Sequence, residues 1–205
     1  MTARRSAIAG IVLAAGRSTR FGGNKLLAPL RGKPVIRWTV EAALASRLRP
    51  IAVVLGHEHA HVRAALEDLP GDDCLVEVVN ADYRDGQSRS VVAGLDAVRA
   101  DAEAAMFLMG DQPLLDSATI DALIAAHQAA GTDICYPARN GARRNPVIFS
   151  ERFFPAIMAL TGDTGARALI EAHPEAATAV AFADEAPFRD VDRARDLRAL
   201  LGEGG

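Results

Sequence analysis

The chain has 205 residues, of which half are hydrophobic and 24% are charged, and this length can bury one sizeable core. The formal net charge of -3 argues against a general nucleic-acid-binding protein, because such proteins are usually basic. Neither a transmembrane helix nor a signal peptide is expected, since no apolar run approaches 18 residues and the first apolar segment leads directly into a glycine-bearing loop.

In the first two thirds of the chain, short apolar runs predict strands and the amphipathic stretches between them predict helices. The expected strands are Ile8–Leu13, Ile51–Leu55, Leu75–Val79 and Ala105–Met109, and the expected helices are Pro34–Ser46, Glu58–Leu69, Ser88–Arg99 and Ser117–Ala129. Ser117 is the candidate N-cap of the fourth helix.

The last third of the chain is less regular. It predicts strands at Asp133–Tyr136, Pro146–Phe149 and Thr178–Phe182, a polar turn at Asn140–Arg144, and helices at Glu151–Leu160, Thr164–Ala172 and Asp192–Leu201. The alternation of strand and helix predicts a three-layer α/β/α Rossmann-like fold with a mostly parallel central sheet. We expect a single domain over residues 1–205, in which residues 139–175 could form a subdomain because the alternation breaks there.

Ligands of such sheets bind at the carboxyl ends of the strands, so the loops after Leu13, Val79 and Met109 are the informative ones. The first loop carries glycines and three cations, Arg17, Arg20 and Lys25. Glycines let backbone N–H groups approach phosphates and the cations offset phosphate charge, which predicts a triphosphate-binding loop. Its spacing fits neither GxxxxGK[ST] nor GxGxxG.

The second and third loops add polar groups to the same edge. Asn80, Gly86 and Ser88 precede or begin a helix, where a base edge or a phosphate could be bound or where the helix could simply be capped. Asp111 follows a buried strand, and a carboxylate there needs a partner. Mg²⁺ on a substrate triphosphate would satisfy it, although a turn cap is the alternative.

Near the end of the chain, Asp190 and Asp192 lie two residues apart, and either is a candidate second metal ligand. Asp192 could equally be the N-cap of the last helix. The two cysteines, Cys74 and Cys135, lie outside any CxxC spacing, so we expect reduced, structural thiols in a cytoplasmic protein.

Taken together, the loops resemble the MobA-like nucleotidyltransferase superfamily. The signature LAAGxSxRFGxxK is matched from Leu13 to Lys25, and Asn80 with the later GQS, then GDQP and then DVD recur in the order typical of that superfamily. The GDTGAR run at residues 162–167 resembles its cytidylyltransferase branch. Within it, the chain is most similar to molybdenum cofactor cytidylyltransferases, because it carries LAAG where the guanylyltransferase branch reads LAGG. Ala15 is therefore the residue on which the expected choice of CTP over GTP rests.

The resemblance implies transfer of CMP from CTP to molybdopterin, with Mg²⁺ as cofactor and release of pyrophosphate. The implied catalytic residues are Arg17, Lys25 and Asp111. The implied nucleotide-binding residues are Leu13, Ala14, Ala15, Gly16, Arg17, Ser18, Arg20, Lys25, Asn80, Gly86, Ser88 and Asp111. Asp111, Asp192 and Asp190 are the metal candidates, and Arg144, Asn145 and Arg167, together with Arg143, are the acceptor candidates. A molybdoenzyme or maturation protein is an expected partner, whereas nucleic acid and membrane are not.

The sequence departs from the family pattern at Arg144-Asn145-Pro146, where that branch often reads Gly-His-Pro. This departure leaves the acceptor open. The alternatives are transfer to another phosphorylated acceptor, a nicotine blue oxidoreductase-like activity, and a cofactor carrier or insertion partner on the same fold.

Overall fold

The computed structural model describes residues 7–69, 74–163 and 165–202. The strands are β1 (Ile8–Ala14), β2 (Pro29–Leu30), β3 (Lys33–Pro34), β4 (Ile51–Leu55), β5 (Leu75–Val79), β6 (Ala104–Met109), β7 (Ile134–Arg139), β8 (Ala142–Arg143), β9 (Val147–Ser150) and β10 (Ala177–Ala181). The helices are α1 (Val35–Ala45), α2 (His59–Ala64), α3 (Gln87–Val98), α4 (Ser117–Ala130), α5 (Phe154–Met158), α6 (Arg167–Ala172) and α7 (Ala194–Gly202).

One mostly parallel sheet organises the described chain, in the order β10-β7-β9-β6-β1-β4-β5. Strand β1 lies in its middle and pairs in parallel with both β4 and β6. Strand β9 runs antiparallel to β6 and to β7, and this explains why the alternation of strand and helix breaks in the last third of the chain. The segment 139–175 thus contributes an interior strand to the main sheet.

Both faces of the sheet are buried, which makes the fold three-layered. Successive residues of a strand point to opposite faces, so Val12 of β1 packs on the side of α1 and α4, whereas Ile11 packs on the side of α3 and α5. The side of α1 and α4 also buries Ile36 and Ile120, and the other side buries Leu95. The α/β/α architecture expected from the sequence is confirmed.

Several element boundaries differ from the sequence prediction. Helix α2 ends at Ala64, and i→i+3 hydrogen bonds, such as that from the Leu69 amide to the Leu66 carbonyl (3.0 Å), carry the chain onward as turns. The N-cap of α4 is Asp116, because its carboxylate accepts a 2.7 Å hydrogen bond from the amide of Thr119, so the assignment of Ser117 was wrong. None of the described helices is long and apolar enough to cross a membrane.

Gly94 allows helix α3 to approach the sheet closely. A Cβ atom at this position would collide with Cγ2 of Ile11 in β1 and would lie 2.8 Å from Cγ2 of Val54 in β4. Both contacts are with β-branched side chains, which have few alternative rotamers. The spacing between the third helix and the two central strands therefore depends on a residue without a side chain.

We expect Gly94→Ala to lower the free energy of unfolding by about 1–3 kcal/mol, because overpacking outweighs the better helix propensity of alanine. Denaturant unfolding followed by circular dichroism measures this change. Gly23→Ala is the matched control, since a Cβ there meets no atom within 4 Å. Equal stability of the Gly94→Ala variant and the control would contradict the close-approach argument.

Candidate active site

The predicted loops meet at one edge of the sheet. Strands β1 and β6 are neighbours and run in the same direction, so the loops after Ala14 and Met109 emerge side by side. The backbone joins them directly, because the amide of Gly110 donates a 3.0 Å hydrogen bond to the carbonyl of Leu13. The amide of His57, after β4, donates to the carbonyl of Ala15 at 3.3 Å. Three consecutive strand ends thus form the base of a site.

The loop after β1 is folded so that Lys25 turns back over this edge. Ser18 has a φ of 53°, and its hydroxyl accepts a 3.2 Å hydrogen bond from the amide of Lys25. Asn24 then caps a short 3₁₀ turn over Lys25–Leu27 by accepting a 3.1 Å hydrogen bond from the amide of Leu26. Ser18 and Asn24 therefore stabilise the loop conformation, and this conformation sets the position of the Lys25 backbone.

The ammonium of Lys25 lies between two carboxylates. Its Nζ contacts Oδ2 of Asp111 and donates a 3.0 Å hydrogen bond to Oδ1 of Asp192, while Arg20 pairs with the second oxygen of Asp192 at 3.3 Å. The side chains of Lys25 and Asp111 are only 15% and 11% exposed. Burial by itself lowers the pKa of Lys25, but the two carboxylates outweigh it and raise that pKa above its ordinary value. Lys25 is therefore a permanently charged cation at this site.

Asp111 is held in place by its backbone as well as by Lys25. The carbonyl of Asp111 accepts a 2.9 Å hydrogen bond from the amide of Val191, which brings Asp190 and Asp192 to the end of β6. Reduced solvation, followed by the nearby carboxylate of Asp111, raises the pKa of Asp190 to about 6, even though part of the residue reaches solvent. Three carboxylates thus share one region of negative potential.

The donor set fits a divalent cation bound together with a substrate. Oδ1 of Asp111 is buried and has no hydrogen-bond partner among the described residues. A buried carboxylate oxygen without a partner is costly, and a hard cation would satisfy it. No preassembled group of three metal-ligating side chains is found in the described part of the chain. Mg²⁺ does not require one, because it usually takes one or two carboxylates and completes its shell with water and substrate phosphates.

Two cavities adjoin at this edge. The first, of about 600 Å³, is lined by residues of the loop after β1, by the start of α3 and by Asp111. It is called the donor cavity after the nucleotide expected there from the sequence, and the second is called the acceptor cavity on the same expectation. The acceptor cavity, of about 510 Å³, has an apolar floor that includes Phe107 and Val147 and a polar rim that includes Asp190. Both volumes lie in the range of small-molecule sites.

Three arginines line the acceptor cavity, namely Arg143, Arg144 and Arg167. The Nε of Arg144 donates a 3.1 Å hydrogen bond to Glu185 and lowers the pKa of that carboxyl. Arg167 pairs with Glu171 one helical turn away at 2.7 Å, and this pairing raises the pKa of the guanidinium. These are solvent-accessible pairs, whose net stabilisation is small, so an anionic ligand could replace the carboxylates.

Most of the predicted site residues are brought together, and they are divided between the two cavities. The predicted residues that line the donor cavity are Leu13, Ala14, Ala15, Gly16, Arg17, Lys25, Gly86 and Asp111. Those that line the acceptor cavity include Arg144, Asn145, Arg167 and Asp190. Arg20 lies at the surface and reaches the cluster through its ion pair with Asp192. The side chain of Asp192 contacts these cations and does not cap α7. The amides of Asp192 and Arg193, just before this helix, instead donate hydrogen bonds to the carboxylate of Asp196.

Asn80 and Ser88 lie behind the cavity wall. The side-chain NH₂ group of Asn80 donates a 3.0 Å hydrogen bond to the hydroxyl of Ser90. Its side-chain oxygen accepts a hydrogen bond from the backbone amide of Asp82. Ser88 is fully buried and donates to the carbonyl of Gly162 at 2.6 Å. Sequence reasoning missed Tyr83 and Asp163, which do line the donor cavity. The GDTGAR run was the signal available for Asp163.

A mostly parallel sheet whose first loop places cations beside carboxylates at the strand ends, next to a second cavity lined by arginines, is an arrangement suited to a nucleotidyltransferase. The model of the MobA-like NTP transferase domain matches residues 10–177, so the chain belongs to that family.

Relatives within the family carry different names. The purine catabolism protein PucB of Bacillus subtilis (strain 168) is 35% identical over 89% of this chain and 90% of its own length. Nicotine blue oxidoreductase of Paenarthrobacter nicotinovorans is 30% identical over 95% of this chain and 96% of its own. Among solved structures, Rv0371c of Mycobacterium tuberculosis H37Rv is 30% identical, with a TM-score of 0.79 and coverage of 96% and 99%. A manganese complex of Rv0371c superimposes with a TM-score of 0.76 and is 29% identical, with coverage of 96% and 98%.

Removal of the Lys25 ammonium leaves the buried Asp111 carboxylate without its counter-ion. We expect Lys25→Met to lower the free energy of unfolding by about 1–3 kcal/mol and the melting temperature by roughly 3–10 °C. Millimolar MnCl₂ or MgCl₂ should recover part of this loss, because a divalent cation replaces the ammonium between the carboxylates. Thermal unfolding with and without the metal measures both effects.

The matched control is Lys33→Met, which removes a lysine paired with Glu41 away from the loops described above. Its melting temperature should not respond to either metal more than that of the wild-type protein does. A Lys25→Met variant that gains no more from metal than this control would contradict the expectation that Asp111, with Asp192 or Asp190, binds the metal.

Proposed function

We propose that this chain is a Mg²⁺-dependent cytidylyltransferase that transfers CMP from CTP to the phosphate of a molybdopterin-type acceptor and releases pyrophosphate. The observation that carries the proposal is the pair of adjoining cavities. One places Arg17 and Lys25 beside Asp111, and the other is lined by arginines over an apolar floor. A donor triphosphate and an anionic, partly flat acceptor match these two cavities in charge and shape.

In the proposed reaction, an oxygen of the acceptor phosphate attacks the α-phosphorus of the nucleotide. A new phosphorus–oxygen bond forms while the bond to the α,β-bridging oxygen breaks, and pyrophosphate leaves with that electron pair. Such transfer needs positioning and charge neutralisation more than covalent catalysis. Arg17 and Lys25 hold the β- and γ-phosphates, and Lys25 offsets the charge that develops on the leaving group.

Asp111 with Asp192 or Asp190 would hold Mg²⁺, which supplies neutralisation of the phosphoryl oxygens at the reacting centre. In the structure, Lys25 contacts Asp111 and Asp192 itself. We propose that the lysine exchanges these contacts for phosphate oxygens when the nucleotide binds. The carboxylates it leaves are then free to bind the cation.

The acceptor cavity would take the second substrate through two kinds of contact. Arg143, Arg144 and Arg167 offer planar guanidinium groups to a phosphate, a geometry that lysine does not provide. Phe107 and Phe188 line the same cavity and offer aromatic surface to a ring system. Asn145 adds an amide that can donate to or accept from the polar edge of a heterocycle.

One relative favours a second candidate function. A protein named nicotine blue oxidoreductase is 30% identical to this chain over nearly its whole length, so an oxidoreductase on this fold is the main alternative. It would need a dinucleotide site, yet the first loop has no GxGxxG. Transfer of a nucleotidyl group to another phosphorylated acceptor uses the same donor cavity and differs only in the occupant of the acceptor cavity.

The proposal includes a cytoplasmic location and a molybdoenzyme or maturation protein as recipient of the product. Cys135 is buried as a free thiol, and this burial raises its pKa to about 11, while Cys74 is also free. Unpaired thiols are consistent with a reducing compartment.

Pyrophosphate release tests the proposal. We expect the purified protein to release pyrophosphate from CTP faster than from GTP or ATP, only with Mg²⁺ or Mn²⁺ present and only after molybdopterin is added. Release without preference for molybdopterin would support another phosphorylated acceptor. Oxidation of NADH or NADPH with nicotine blue, without any pyrophosphate release, would support the oxidoreductase and overturn the proposal.

Asp111→Asn should keep the fold and lower pyrophosphate release by roughly 1,000-fold, because the carboxamide carries no charge for the cation. Circular dichroism verifies the fold, and single-turnover assays measure the rate. Asp96→Asn, at an exposed position on α3, is the control and should retain the wild-type rate. Turnover at the wild-type rate in Asp111→Asn would remove this residue from the metal site.

Base selection is proposed to rest on Ala15, which lines the donor cavity and packs tightly against Gly56. Ala15→Gly removes one methyl group from the wall and makes room for a purine. The ratio of kcat/KM for CTP to that for GTP should therefore fall by roughly 10-fold, the usual value of one methyl group in a pocket. An unchanged ratio would show that the base is selected elsewhere.

A further inference from the structure

The donor and acceptor cavities share part of their walls. Four residues line both of them, namely Leu13, Met109, Gln87 and Asp163. Leu13 and Met109 lie at the carboxyl ends of the neighbouring strands β1 and β6 and are apolar. Gln87 and Asp163 are the polar members of the shared wall. Any group that passes from one cavity to the other must do so beside these two side chains.

Gln87 is the first residue of α3, and the loop that carries Asp163 fixes the start of this helix. The backbone amide and the hydroxyl of Ser88 both donate to the carbonyl of Gly162, at 3.2 and 2.6 Å. Gly86 has a φ of 109°, and a Cβ there would collide with the same carbonyl group. The loop around Gly162 therefore sits against the helix start with no room for a side chain between them.

The side chain of Gln87 is limited by the same loop. A Cβ atom at Gly165 would lie 3.0 Å from Oε1 of Gln87, so the carboxamide packs directly against a glycine. Because Gly165 has no side chain, the carboxamide has room at this position. Gln87 is exposed at the junction, and two residues of the loop that carries Asp163 border it: Gly162 bonds to the start of α3, and Gly165 packs against the carboxamide.

Nucleotidyl transfer brings two anionic groups to such a junction, the α-phosphate of the donor and the phosphate of the acceptor. Their mutual repulsion has to be offset by hydrogen-bond donors. Asp163 cannot supply one, since an ionised carboxylate only accepts. Leu13 and Met109 have no donor side chain. Of the shared wall, only Gln87 has a side-chain N–H group to offer.

We infer that Gln87 is a positioning residue for the transfer step, whose carboxamide holds the bridging phosphates where the two cavities meet. The inference rests on the proposed function, since it assumes a donor nucleotide in one cavity and a phosphorylated acceptor in the other. It predicts that Gln87 matters for ligands that span the junction and little for ligands confined to the donor cavity.

Two probes separate these cases without knowledge of the natural acceptor. CMP fills the donor cavity alone, whereas dicytidine diphosphate, two cytidine groups joined by a 5′,5′-diphosphate, reaches across the junction. Isothermal titration calorimetry in MgCl₂ gives both dissociation constants. Wild-type protein should bind dicytidine diphosphate more tightly than CMP.

Gln87→Met keeps the size of the side chain and removes its donor. We expect it to raise the dissociation constant of dicytidine diphosphate by about 10- to 100-fold, the usual value of a hydrogen bond to a charged group, and that of CMP by less than about twofold. Gln87→Glu should weaken the bridging probe further, because it adds a negative charge. Gln128→Met, on the exposed side of α4, is the matched control and should change neither constant.

Gly165→Ala would place a methyl group 3.0 Å from Oε1 of Gln87, so the carboxamide has to shift by a few tenths of an ångström while it stays chemically intact. This variant should weaken the bridging probe selectively but less than Gln87→Met does. Combined with Gln87→Met it should add no further loss, because both changes act through the same group. Thermal unfolding of each variant confirms that the fold is kept.

The outcomes distinguish this inference from the function on which it rests. If the wild-type protein binds neither probe, the proposed function fails and the inference fails with it. If it binds both probes but Gln87→Met weakens them equally or not at all, the inference alone is overturned. The same holds if the wild-type protein binds the bridging probe no more tightly than CMP. Selective loss of the bridging probe supports the inference.

Discussion

The contact of the Lys25 ammonium with Asp111 and Asp192 is the interaction on which the arrangement of the site depends. A carboxylate as buried as that of Asp111 is tolerated only with a counter-charge, and Lys25 supplies it from a loop 86 residues away. The same ammonium draws in Asp192, which arrives through the backbone hydrogen bond between Val191 and Asp111. Three segments that are far apart in sequence are thereby joined at the end of two central strands, and a donor cavity forms beside them.

The sequence was sufficient for the class of fold, and most of the residues it offered for nucleotide binding line one cavity. Apolar runs such as Ala105–Met109 mark buried parallel strands without reference to the rest of the chain, and strand ends locate the binding edge. The position of β9 could not be predicted, because its pairing with β6 and β7 joins residues distant in sequence. The contacts of Asp192 could not be predicted for the same reason. The neighbouring sequence favours a helix N-cap equally well, and the contact that the side chain makes is with Lys25, which is 167 residues away. Asn80 and Ser88 carry donors that suit a ligand, but these donors are used by Ser90 and Gly162.

The two cavities differ in how deeply their charged groups are buried and how tightly they are paired. On the donor side, Lys25 and Asp111 are nearly buried and tightly paired, so their exchange with a charged ligand must replace every contact that is lost. On the acceptor side, Arg144 and Arg167 pair with carboxylates that remain open to solvent. Family members with names as different as PucB and nicotine blue oxidoreductase share this fold. A firmly paired first site beside a second site whose ion pairs are open to solvent offers a physical basis for such diversity.

The antiparallel direction of β9 has a consequence for how this second site is built. Because β9 runs back from the binding edge, the turn between β7 and β9 is left at that edge, and it carries Arg143, Arg144 and Asn145. Arg143 belongs to β8, which pairs with β7, and the amide of Arg144 donates a 2.8 Å hydrogen bond to the carbonyl of Pro137, so both arginines are tied to the sheet. Only the tip of the hairpin, at Asn140 and Gly141, lies outside every layer. Insertions or replacements at such a tip cost little in chain entropy and disturb no core contact. The tip is in this sense a place where the chain can change length, while the hydrogen bonds to β7 keep Arg143 and Arg144 at the binding edge.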